Sequence, residues 1–472
     1  MLDIGKTNIK LNVCTPDGAV LETLTTANAV LAGPPWAHHD LKSAGEWVMA
    51  SLSGLCRRHL VRHLITTGHG SGGMLVARDP DAGGDGLALP MVDYEQPVPA
   101  AIDAAYAPLS GSFFDRGSAV MMAATHQARQ MYWMAQTRPD EFARAGWYLG
   151  VPQYWAWRFS GVAASEATIM GAQSHLWNVP GRHWSPIVAG QGWRRLLPQF
   201  RPAWAALGPI RAELRRRYDL PGDIMVHCGA HDSSVNFYRY QAAGLADLAV
   251  VSTGTWIVAM ARNVDFARLD EARSMACNSD VTGAPVGGAL TMGGREFAAV
   301  AGPQPEGARA DPAVLARLID QGTFVLPAFG QNDGQFPGRA GLGCICGPAP
   351  ETAPERLALA VLYMALLSVA CVDSLGPLAA GQPRGVVLDG SYLADPAYAA
   401  LVAALRLDAQ TLFNPEAYGV ASGAAVLCGH PHPTPVPLSL STPVNLAGLH
   451  GLAQYGAQWR ALAAVIPKGN AK

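Results

Sequence analysis

Two stretches of the sequence combine glycines with a carboxylate or with hydroxyls at the ends of strand-like runs, a pattern suited to phosphate chemistry. The first spans Met225 to Asp232 and reads MVHCGAHD, an apolar strand with Asp232 beyond its C-terminal end. In open α/β sheets ligands bind at that edge. The second spans residues 248–260, where two apolar runs are joined by Ser252-Thr253-Gly254-Thr255. Such a loop offers N–H and O–H donors to a phosphate, and its glycine allows close approach of the backbone.

The start of the chain repeats this design. Asp3-Ile4-Gly5-Lys6-Thr7-Asn8 precedes an alternating strand over residues 9–13, a turn over 15–18 and a return strand over 19–24. Only two residues precede Asp3, so we expect a stunted first strand or a start further upstream, and less order here than around Leu248. Two such hairpins half a chain apart predict two similar domains, each holding one side of a nucleotide's phosphates.

Six segments in this order resemble the FGGY carbohydrate kinases of the actin-like ATPase superfamily. They read DIGKTNIK, GAHD, STGTW, MGGREF, LDGSYLAD and SGAAVL, and they span almost the whole chain. The resemblance implies an α/β fold of two ribonuclease H-like (actin-like ATPase) domains with a ligand cleft between them. We expect a sugar-binding domain over residues 1–243 and a nucleotide-binding domain with a closing helix over 244–472.

The resemblance also implies the roles of single residues. Asp232 matches the catalytic aspartate that takes the proton of a sugar hydroxyl and contacts the metal, and Asp3 matches the aspartate that holds Mg²⁺ through water. The implied ATP-binding residues are Gly5, Lys6, Thr7, Thr253, Gly254, Thr255, Gly294, Gly390, Ser391 and Asp395. Ser391 stands where many members have glycine and Asp395 where many have asparagine, so the adenine contact is less secure than the phosphate contacts.

A glycine-rich segment at Gly68-His69-Gly70-Ser71-Gly72-Gly73 fits the dinucleotide pattern GxGxxG, but a strand-like run follows it where that pattern requires a helix. In the family this place carries a sugar-contacting loop, so His69 and Gly70 become candidate sugar ligands, and a purely structural His69 stays equally open. Asp93 and Tyr94 match a polar pair facing the sugar. STGTW resembles the fuculose and rhamnulose kinases, which favours a ketose or deoxyketose.

Composition bounds the remaining possibilities. The 472 residues are 50% apolar and 15% charged with a net charge of −2, which favours two domains with large cores and gives no sign of a nucleic-acid or membrane surface. The eight cysteines are scattered and no export signal is present, so we expect a cytoplasmic protein with reduced cysteines. The expected partner is a small-molecule sugar. A homodimer is possible. Residues 357–372 are too few for a membrane span and predict a buried helix. Cys344 and Cys346 are expected to pack in a loop.

Several local expectations can be checked against a structure. The segment CRRHLVRHL predicts a helix whose His59 and His63 lie on a solvated basic face rather than on a metal. Further helices are expected over residues 118–136, 151–159, 204–217 and 446–465. Core packing is the favoured role of Trp155, Trp157 and Trp177. Residues 304–311 and 331–347 are candidate mobile covers.

Other functions stay open at this point. No GxxxxGK[ST] occurs, so ATP chemistry must use a different phosphate cradle, which the two hairpins provide. The same superfamily contains protein-binding ATPases and filaments, and a non-catalytic sugar sensor is a third hypothesis because of Ser391 and Asp395. Hydrolysis of nucleotide without sugar dependence would distinguish a scaffold from a kinase.

Overall fold

A computed structural model describes residues 1–245, 247–378, 381–416, 418–435, 437–446 and 448–465. The chain forms two compact units. Unit 1 comprises Met1–Leu245, Cys277–Pro285 and Tyr418–Pro437, and unit 2 comprises Ala246–Ala276, Val286–Ala417 and Leu438–Lys472. The chain therefore returns twice to the first unit after it has entered the second.

The strands are short and are numbered in chain order. They are β1 (Leu2–Ile4), β2 (Asn8–Cys14), β3 (Val20–Ala27), β4 (Val30–Leu31), β5 (His38–His39), β6 (His63–Leu64), β7 (Thr66–Gly68), β8 (Gly73–Val76), β9 (Trp147–Gly150), β10 (Trp177–Asn178), β11 (His183–Trp184), β12 (Ala206–Pro209), β13 (Met225–His227), β14 (Ala230–His231), β15 (Ala249–Thr253), β16 (Ile257–Ala261), β17 (Met275–Ser279), β18 (Pro285–Thr291), β19 (Phe324–Leu326), β20 (Cys344–Cys346), β21 (Val386–Gly390) and β22 (Thr411–Phe413).

The α-helices are numbered in the same way. They are α1 (Leu41–Cys56), α2 (Ala100–Tyr106), α3 (Phe113–Arg116), α4 (Gln127–Thr137), α5 (Pro139–Arg144), α6 (Val151–Ser160), α7 (Ala167–Gly171), α8 (Pro186–Gly190), α9 (Ala212–Tyr218), α10 (Asp232–Ala242), α11 (Gly293–Ala301), α12 (Pro312–Asp320), α13 (Ala353–Ser374), α14 (Pro396–Leu405), α15 (Gly419–Leu427) and α16 (Leu452–Ala463).

The main sheet of unit 1 has the order β14-β7-β1-β2-β3. β1, β2 and β3 form the antiparallel meander expected at the chain start, and β1 has only three residues, as its short N-terminal side predicts. β7 pairs in parallel with β1 and with β14. Because the three parallel strands point the same way, residues at their C-terminal ends share one edge of the sheet.

Helices cover this sheet and supply the core of unit 1. The side chains of Trp155 and Trp157 on α6 are 1% exposed and pack with Leu2, Ile4 and other strand residues. Trp177 packs against Trp184 and Phe200, with ring centroids 5.1 and 4.4 Å away. Packing is therefore the role of all three tryptophans.

Unit 2 contains a second sheet in which β18, β16, β15, β21 and β22 lie side by side. β15 and β16 form the predicted antiparallel hairpin, with Thr253 opposite Ile257, and β15 pairs in parallel with β21. α13 begins with a capping box between Thr352 and Glu355 and forms the centre of this unit. Its sequence is long and apolar enough to cross a membrane, but 94% of its apolar window is buried inside the protein, as expected for a core helix.

The helix predicted for CRRHLVRHL, residues 56–64, is wrong beyond its first residue. α1 ends at Cys56, and His63 belongs to the strand β6. His59 contacts Glu22 with Nε2 at 2.7 Å from the carboxylate, whereas His63 Nδ1 lies 2.9 Å from His227 Nε2. The two histidines therefore serve different contacts, and no cluster of three metal-ligating side chains occurs in the described part of the chain.

Three other predicted helices begin later in the structure than expected. Residues 118–126 are not helical, and α4 begins only at Gln127. Residues 206–209 form β12 and not the first turns of a helix, since a glycine and a proline there disfavour helix. α16 begins at Leu452, later than the predicted 446.

Cys344 and Cys346 lie on β20 and not in a loop, with their Sγ atoms 3.8 Å apart.

Candidate active site

The ends of three parallel strands bring Asp3, Thr67 and Asp232 to one edge of the sheet in unit 1. Asp3 is in register with Thr67, and Thr67 is in register with Ala230 on the next strand. Asp232 follows β14 directly and is the first residue of α10. The Thr67 hydroxyl donates to Asp3 Oδ1 over 3.1 Å. The predicted pair of aspartates is therefore assembled by strand register alone.

Asp3 is a strongly perturbed carboxyl group. Burial, followed by the nearby Asp232 carboxylate, raises its pKa from 3.8 to about 6, and the hydrogen bond from Thr67 opposes this rise. Two carboxylates that are held close together in a desolvated site disfavour each other's ionisation. A cation bound between them would relieve that repulsion.

Asp232 is oriented by the start of its own helix. Its Oδ1 accepts from the backbone N–H of Ser233 at 2.5 Å and from the Ser233 hydroxyl at 3.1 Å. His231 Nε2 lies 3.3 Å from the same oxygen. All three contacts are to Oδ1, and the side chain is 28% exposed. Among the described residues no hydrogen bond to Oδ2 is found.

The predicted residues Lys6, Asp93 and Tyr94 form a second group in unit 1. The Lys6 ammonium pairs with the Asp93 carboxylate, and its Nζ lies 3.9 Å from Glu95 and 5.3 Å from the centre of the Tyr94 ring. Burial raises the pKa of the Tyr94 hydroxyl to about 12, with neighbouring carboxylates adding to the effect, so it remains a donor at neutral pH.

His69 lies beside this group. Its ring is 5.1 Å from the Tyr94 ring in an edge-on contact, and burial lowers its pKa to about 4. The Asp232 carboxylate is the next contributor and acts in the opposite direction, which places His69 near the catalytic candidate. Gly70 has a structural requirement, because a Cβ there would lie 2.3 Å from the Ala172 side chain.

Two further residues in this region, Asn28 and His39, were not predicted. Asn28 donates from its amide to the Gly5 carbonyl at 2.8 Å and from its backbone N–H to the Thr7 carbonyl at 2.8 Å, so it holds the hairpin loop. His39 is 2% exposed on β5, and Lys6 and Asp93 are within electrostatic reach of it. Neither residue belongs to a recognisable motif, and only strand pairing brings them here.

A third missed group supports the backbone before Asp232. The Glu166 side chain accepts from the N–H groups of Thr168 and Ile169 and from the Thr168 hydroxyl, and that hydroxyl accepts from the His231 N–H at 2.8 Å. Burial raises the pKa of Glu166 to about 7. Glu166 is the N-cap of α7. It was missed because Glu is not among the residue types that usually mark a helix start.

In unit 2, six predicted nucleotide residues lie in or beside the β15–β16 loop. The Gly294 N–H donates to the Thr255 carbonyl at 3.0 Å, and Ser391 Oγ lies 3.4 Å from the Thr253 carbonyl. Gly390 is opposite Thr253, where a Cβ would lie 2.1 Å from the Thr253 carbonyl oxygen. At Gly254 a Cβ would meet no atom of the described residues within 4 Å, so the loop is open on that side.

Tyr392 and Asp395 complete the description of unit 2. The backbone N–H of Tyr392 donates to the Thr253 hydroxyl at 3.2 Å, and its own hydroxyl donates to the Gly254 carbonyl at 3.3 Å. Tyr392 was not predicted, because it lies between Ser391 and Asp395, the two positions of that motif that were assigned a role. Asp395 lies apart from these contacts: its two oxygens accept from the Ala397 and Ala310 N–H groups, and it caps α14.

Comparison with known proteins agrees with this arrangement. Residues 103–237 match the N-terminal domain of the FGGY family of carbohydrate kinases, and residues 245–435 match the domain described as carbohydrate kinase FGGY, C-terminal domain. Together the two matches span more than half of the chain. The chain belongs to the FGGY carbohydrate kinases.

Solved structures are similar to this FGGY kinase over its whole length. A carbohydrate kinase from Novosphingobium aromaticivorans is 29% identical, with 98% of this chain and 99% of that chain covered and a TM-score of 0.84. A gluconate kinase from Lactobacillus acidophilus is 14% identical (99% and 98% covered, TM-score 0.77), and a xylulose kinase from the same organism is 15% identical (98% and 96%, TM-score 0.76). The last two show the fold alone.

The family fixes the fold and the class of reaction. The protein has the two-domain actin-like fold of an FGGY kinase, and it is a sugar kinase of a family that uses ATP. No curated protein matches the chain. The family match does not identify the sugar.

Proposed function

We propose that this FGGY kinase transfers the γ-phosphoryl group of ATP to a hydroxyl of a small ketose or deoxyketose of the fuculose, rhamnulose, xylulose or ribulose type. The observation that carries this proposal is the grouping of Asp232 with Asp3, His69 and the Lys6–Asp93 pair within unit 1. A carboxylate, a second carboxylate and several hydroxyl-binding groups are what such a transfer needs. The ketose preference follows the likeness of STGTW to the fuculose and rhamnulose kinases.

Asp232 is the proposed general base. As the sugar oxygen forms its bond to the γ-phosphorus and the bond to the ADP oxygen breaks, the hydroxyl proton passes to the Asp232 carboxylate. The hydrogen bonds that Asp232 accepts within the described residues go to Oδ1, which leaves Oδ2 for this proton. The proton then passes to solvent when the product leaves.

Asp3 and Asp232 are the proposed Mg²⁺ residues. Mg²⁺ prefers oxygen ligands. Burial and the neighbouring Asp232 carboxylate raise the pKa of Asp3, so a bound cation would stabilise the ionised form of Asp3. When bound, the ion neutralises phosphate charge. Asp3 would hold it through water, and the Thr67 hydroxyl keeps the Asp3 carboxylate in place.

The loop of unit 2 is the proposed phosphate site. Gly254 and the exposed Thr255 lie on the open side of the loop and would face the phosphates. The buried Thr253 hydroxyl already donates to the Asp389 carbonyl and accepts from the Tyr392 N–H, so the proposed role of Thr253 is to hold the loop in place. Gly294, Gly390 and Ser391 contact the other side of the loop. Because both oxygens of Asp395 are already bonded to backbone, its proposed role near the adenine is to hold the chain rather than to contact the base. In unit 1, Gly5, Lys6 and Thr7 would face the transferred phosphate.

Transfer also requires a change in domain arrangement. The sugar groups belong to unit 1 and the phosphate loop to unit 2, so we propose that the units close on their substrates and exclude water, which otherwise competes as acceptor. Small-angle scattering should show compaction with sugar plus a non-hydrolysable ATP analogue. An unchanged radius of gyration would remove this step.

Two properties of the whole protein belong to the proposal as well. The eight cysteines are free thiols, which fits a reducing cytoplasm. The proposed assembly is a homodimer.

A sugar panel tests the proposed function. Purified protein with ATP and Mg²⁺ should release ADP with ketoses or deoxyketoses, and more slowly or not at all with aldoses and polyols. Release of ADP at one rate with every sugar and with none would point to an ATPase and would remove the kinase proposal for this chain.

A further inference from the structure

His39 is a buried side chain whose ring is left without a partner. It lies on β5, where its backbone pairs with Val30 and its N–H donates to the Met91 carbonyl at 3.3 Å. The side chain is 2% exposed. Neither Nδ1 nor Nε2 has a hydrogen-bond partner among the described residues. A buried polar group of this kind is expected to be satisfied by something, and a ligand is one such partner.

The groups around His39 identify the site it belongs to. After burial, which dominates, the Lys6 ammonium and the Asp93 carboxylate act on the pKa of His39, with His38 contributing least. His39 in turn acts on His69, whose ring nitrogens also have no hydrogen-bond partner within the described part of the chain. Two imidazoles with four unsatisfied nitrogens therefore lie within electrostatic reach of the Lys6–Asp93 pair.

The charge state of these rings decides what they can bind. Burial lowers the pKa of each imidazole to about 4, so both are neutral at pH 7. A neutral imidazole carries one donor and one acceptor. A sugar hydroxyl also donates and accepts, so it can satisfy either ring nitrogen, whereas a carboxylate can only accept.

The remaining charges also favour an uncharged ligand. Asp3, Asp93 and Asp232 are carboxyl groups of this region, and the Lys6 ammonium is already paired with Asp93. An aldonate would bring a further negative charge to a desolvated region with a carboxylate excess, which is unfavourable. A neutral ketose or polyol avoids this repulsion.

We propose that His39 is a sugar-binding residue, and that its imidazole, together with His69, hydrogen-bonds hydroxyls of an uncharged polyhydroxylated sugar and makes the site select such sugars over aldonates. This inference rests on the proposed sugar-kinase function. It adds a specificity residue outside the sequence motifs, and it separates this chain from a gluconate-type activity.

The test compares three variants with the wild type. His39→Phe keeps an aromatic ring and removes both nitrogens, and His39→Gln keeps one donor and one acceptor. His38→Phe is the matched control, because His38 is the adjacent residue and its Nδ1 lies 2.9 Å from the Trp36 carbonyl oxygen, a local contact. The readouts are KM and kcat for the best sugar, the Kd for that sugar without nucleotide, the KM for ATP and the Tm.

We expect His39→Phe to raise the sugar KM and Kd by roughly 10- to 100-fold, the scale of lost hydrogen bonds to a buried ligand, with the KM for ATP unchanged. Its Tm should not fall, since the substitution removes two unsatisfied buried nitrogens. His39→Gln should recover part of the sugar affinity, and His38→Phe should leave the sugar KM unchanged. Wild-type protein should accept neutral sugars and reject gluconate.

The possible failures are distinguishable. If the wild type phosphorylates no sugar, the proposed function fails and the inference with it. If it phosphorylates a neutral sugar and His39→Phe shows an unchanged sugar KM, or a lower Tm with a KM change no larger than that of His38→Phe, the inference fails alone. If gluconate is the best substrate, the charge argument is contradicted while the kinase activity stands.

Discussion

The two units share one arrangement of strands but have different side chains beside the loop that each arrangement carries. In unit 1 the strand order is β3-β2-β1-β7-β14, in which the first three strands are antiparallel and the last three are parallel. In unit 2 the order β18-β16-β15-β21-β22 has the same pattern of directions. In each unit the first strand of the meander ends in a glycine-containing loop. That loop comprises Gly5, Lys6 and Thr7 in unit 1 and Gly254, Thr255 and Trp256 in unit 2.

The difference lies in what surrounds the two loops. In unit 1 the neighbouring strand ends bring buried carboxyl groups and imidazoles, including Asp3 and His69 with shifted pKa values. In unit 2 the neighbours that contact the loop are hydroxyls, backbone groups and glycines, such as Thr253, Gly294 and Gly390. The loop of unit 1 therefore has titratable side chains beside it, whereas the loop of unit 2 is contacted by uncharged groups.

The largest expected effect comes from removing the base in unit 1. Asp232→Asn should lower kcat by at least ~10²-fold, because the amide cannot accept the hydroxyl proton, while nucleotide affinity and Tm stay near wild type. Steady-state kinetics, nucleotide titration and a thermal melt measure these quantities. Asp311→Asn, at the exposed start of α12, is the matched control and should keep wild-type turnover. Full turnover in Asp232→Asn would exclude Asp232 as the base.

A second effect is a pH dependence that belongs to unit 1. The folded-state pKa of Asp3 is raised to about 6, so the group becomes a carboxylate only above that pH, and kcat/KM should fall up to about tenfold per unit as pH drops below 6. The same shift means that any stability contributed by protonated Asp3 is present below pH ~4 and lost as pH rises through 6. A pH–rate profile measures the acid limb.

Asp3→Asn provides the control for this profile. Its residual activity should lose the limb near pH 6, because the amide does not titrate. A limb of unchanged midpoint in the variant would assign the titration to another group.

A third prediction sharpens the contrast between the two loop glycines. Gly254→Ala should raise the KM for ATP by about tenfold, because the new methyl group fills the open side of the proposed phosphate site. Its Tm should stay equal or rise, since the space is open and alanine restricts the unfolded chain. Gly5→Ala should instead lower Tm, because its Cβ would lie 3.0 Å from the Asn8 carbonyl oxygen. An unaltered KM for ATP in Gly254→Ala would argue against this loop as the phosphate site.

The last prediction concerns Glu166 in unit 1, and it is an effect on stability rather than on turnover. Burial raises the pKa of Glu166 to about 7, so stability that is present below pH ~4.5 is lost as pH rises through 7. Because Gln does not titrate, Glu166→Gln should gain stability relative to wild type over this range, by up to about 3 kcal/mol at pH 8. Thermal melts at pH 5 and pH 8 measure the difference. An equal change in Tm at the two pH values would mean that Glu166 does not titrate in the folded protein.

Much of the site was predictable because its elements are local. The apolar run before Asp232 and the glycines around it predict a strand end, and the loop from Ser252 to Thr255 lies between two clear strands. His39 was not predictable, because nothing in PPWAHHD distinguishes it from His38, and only the pairing of β5 with the neighbouring strands buries one ring and half-exposes the other. The false helix at His59 arose from apolar spacing that continues beyond the end of α1.

The most direct test of sugar phosphorylation by this protein is the balance of products in one reaction. Protein, ATP, Mg²⁺ and the preferred neutral sugar are incubated, and ADP and sugar phosphate are quantified together by mass spectrometry, with a parallel reaction that lacks sugar. We expect one sugar phosphate for each ADP and almost no ADP without sugar. ADP formed at the same rate in both reactions, with no phosphorylated sugar, would contradict it.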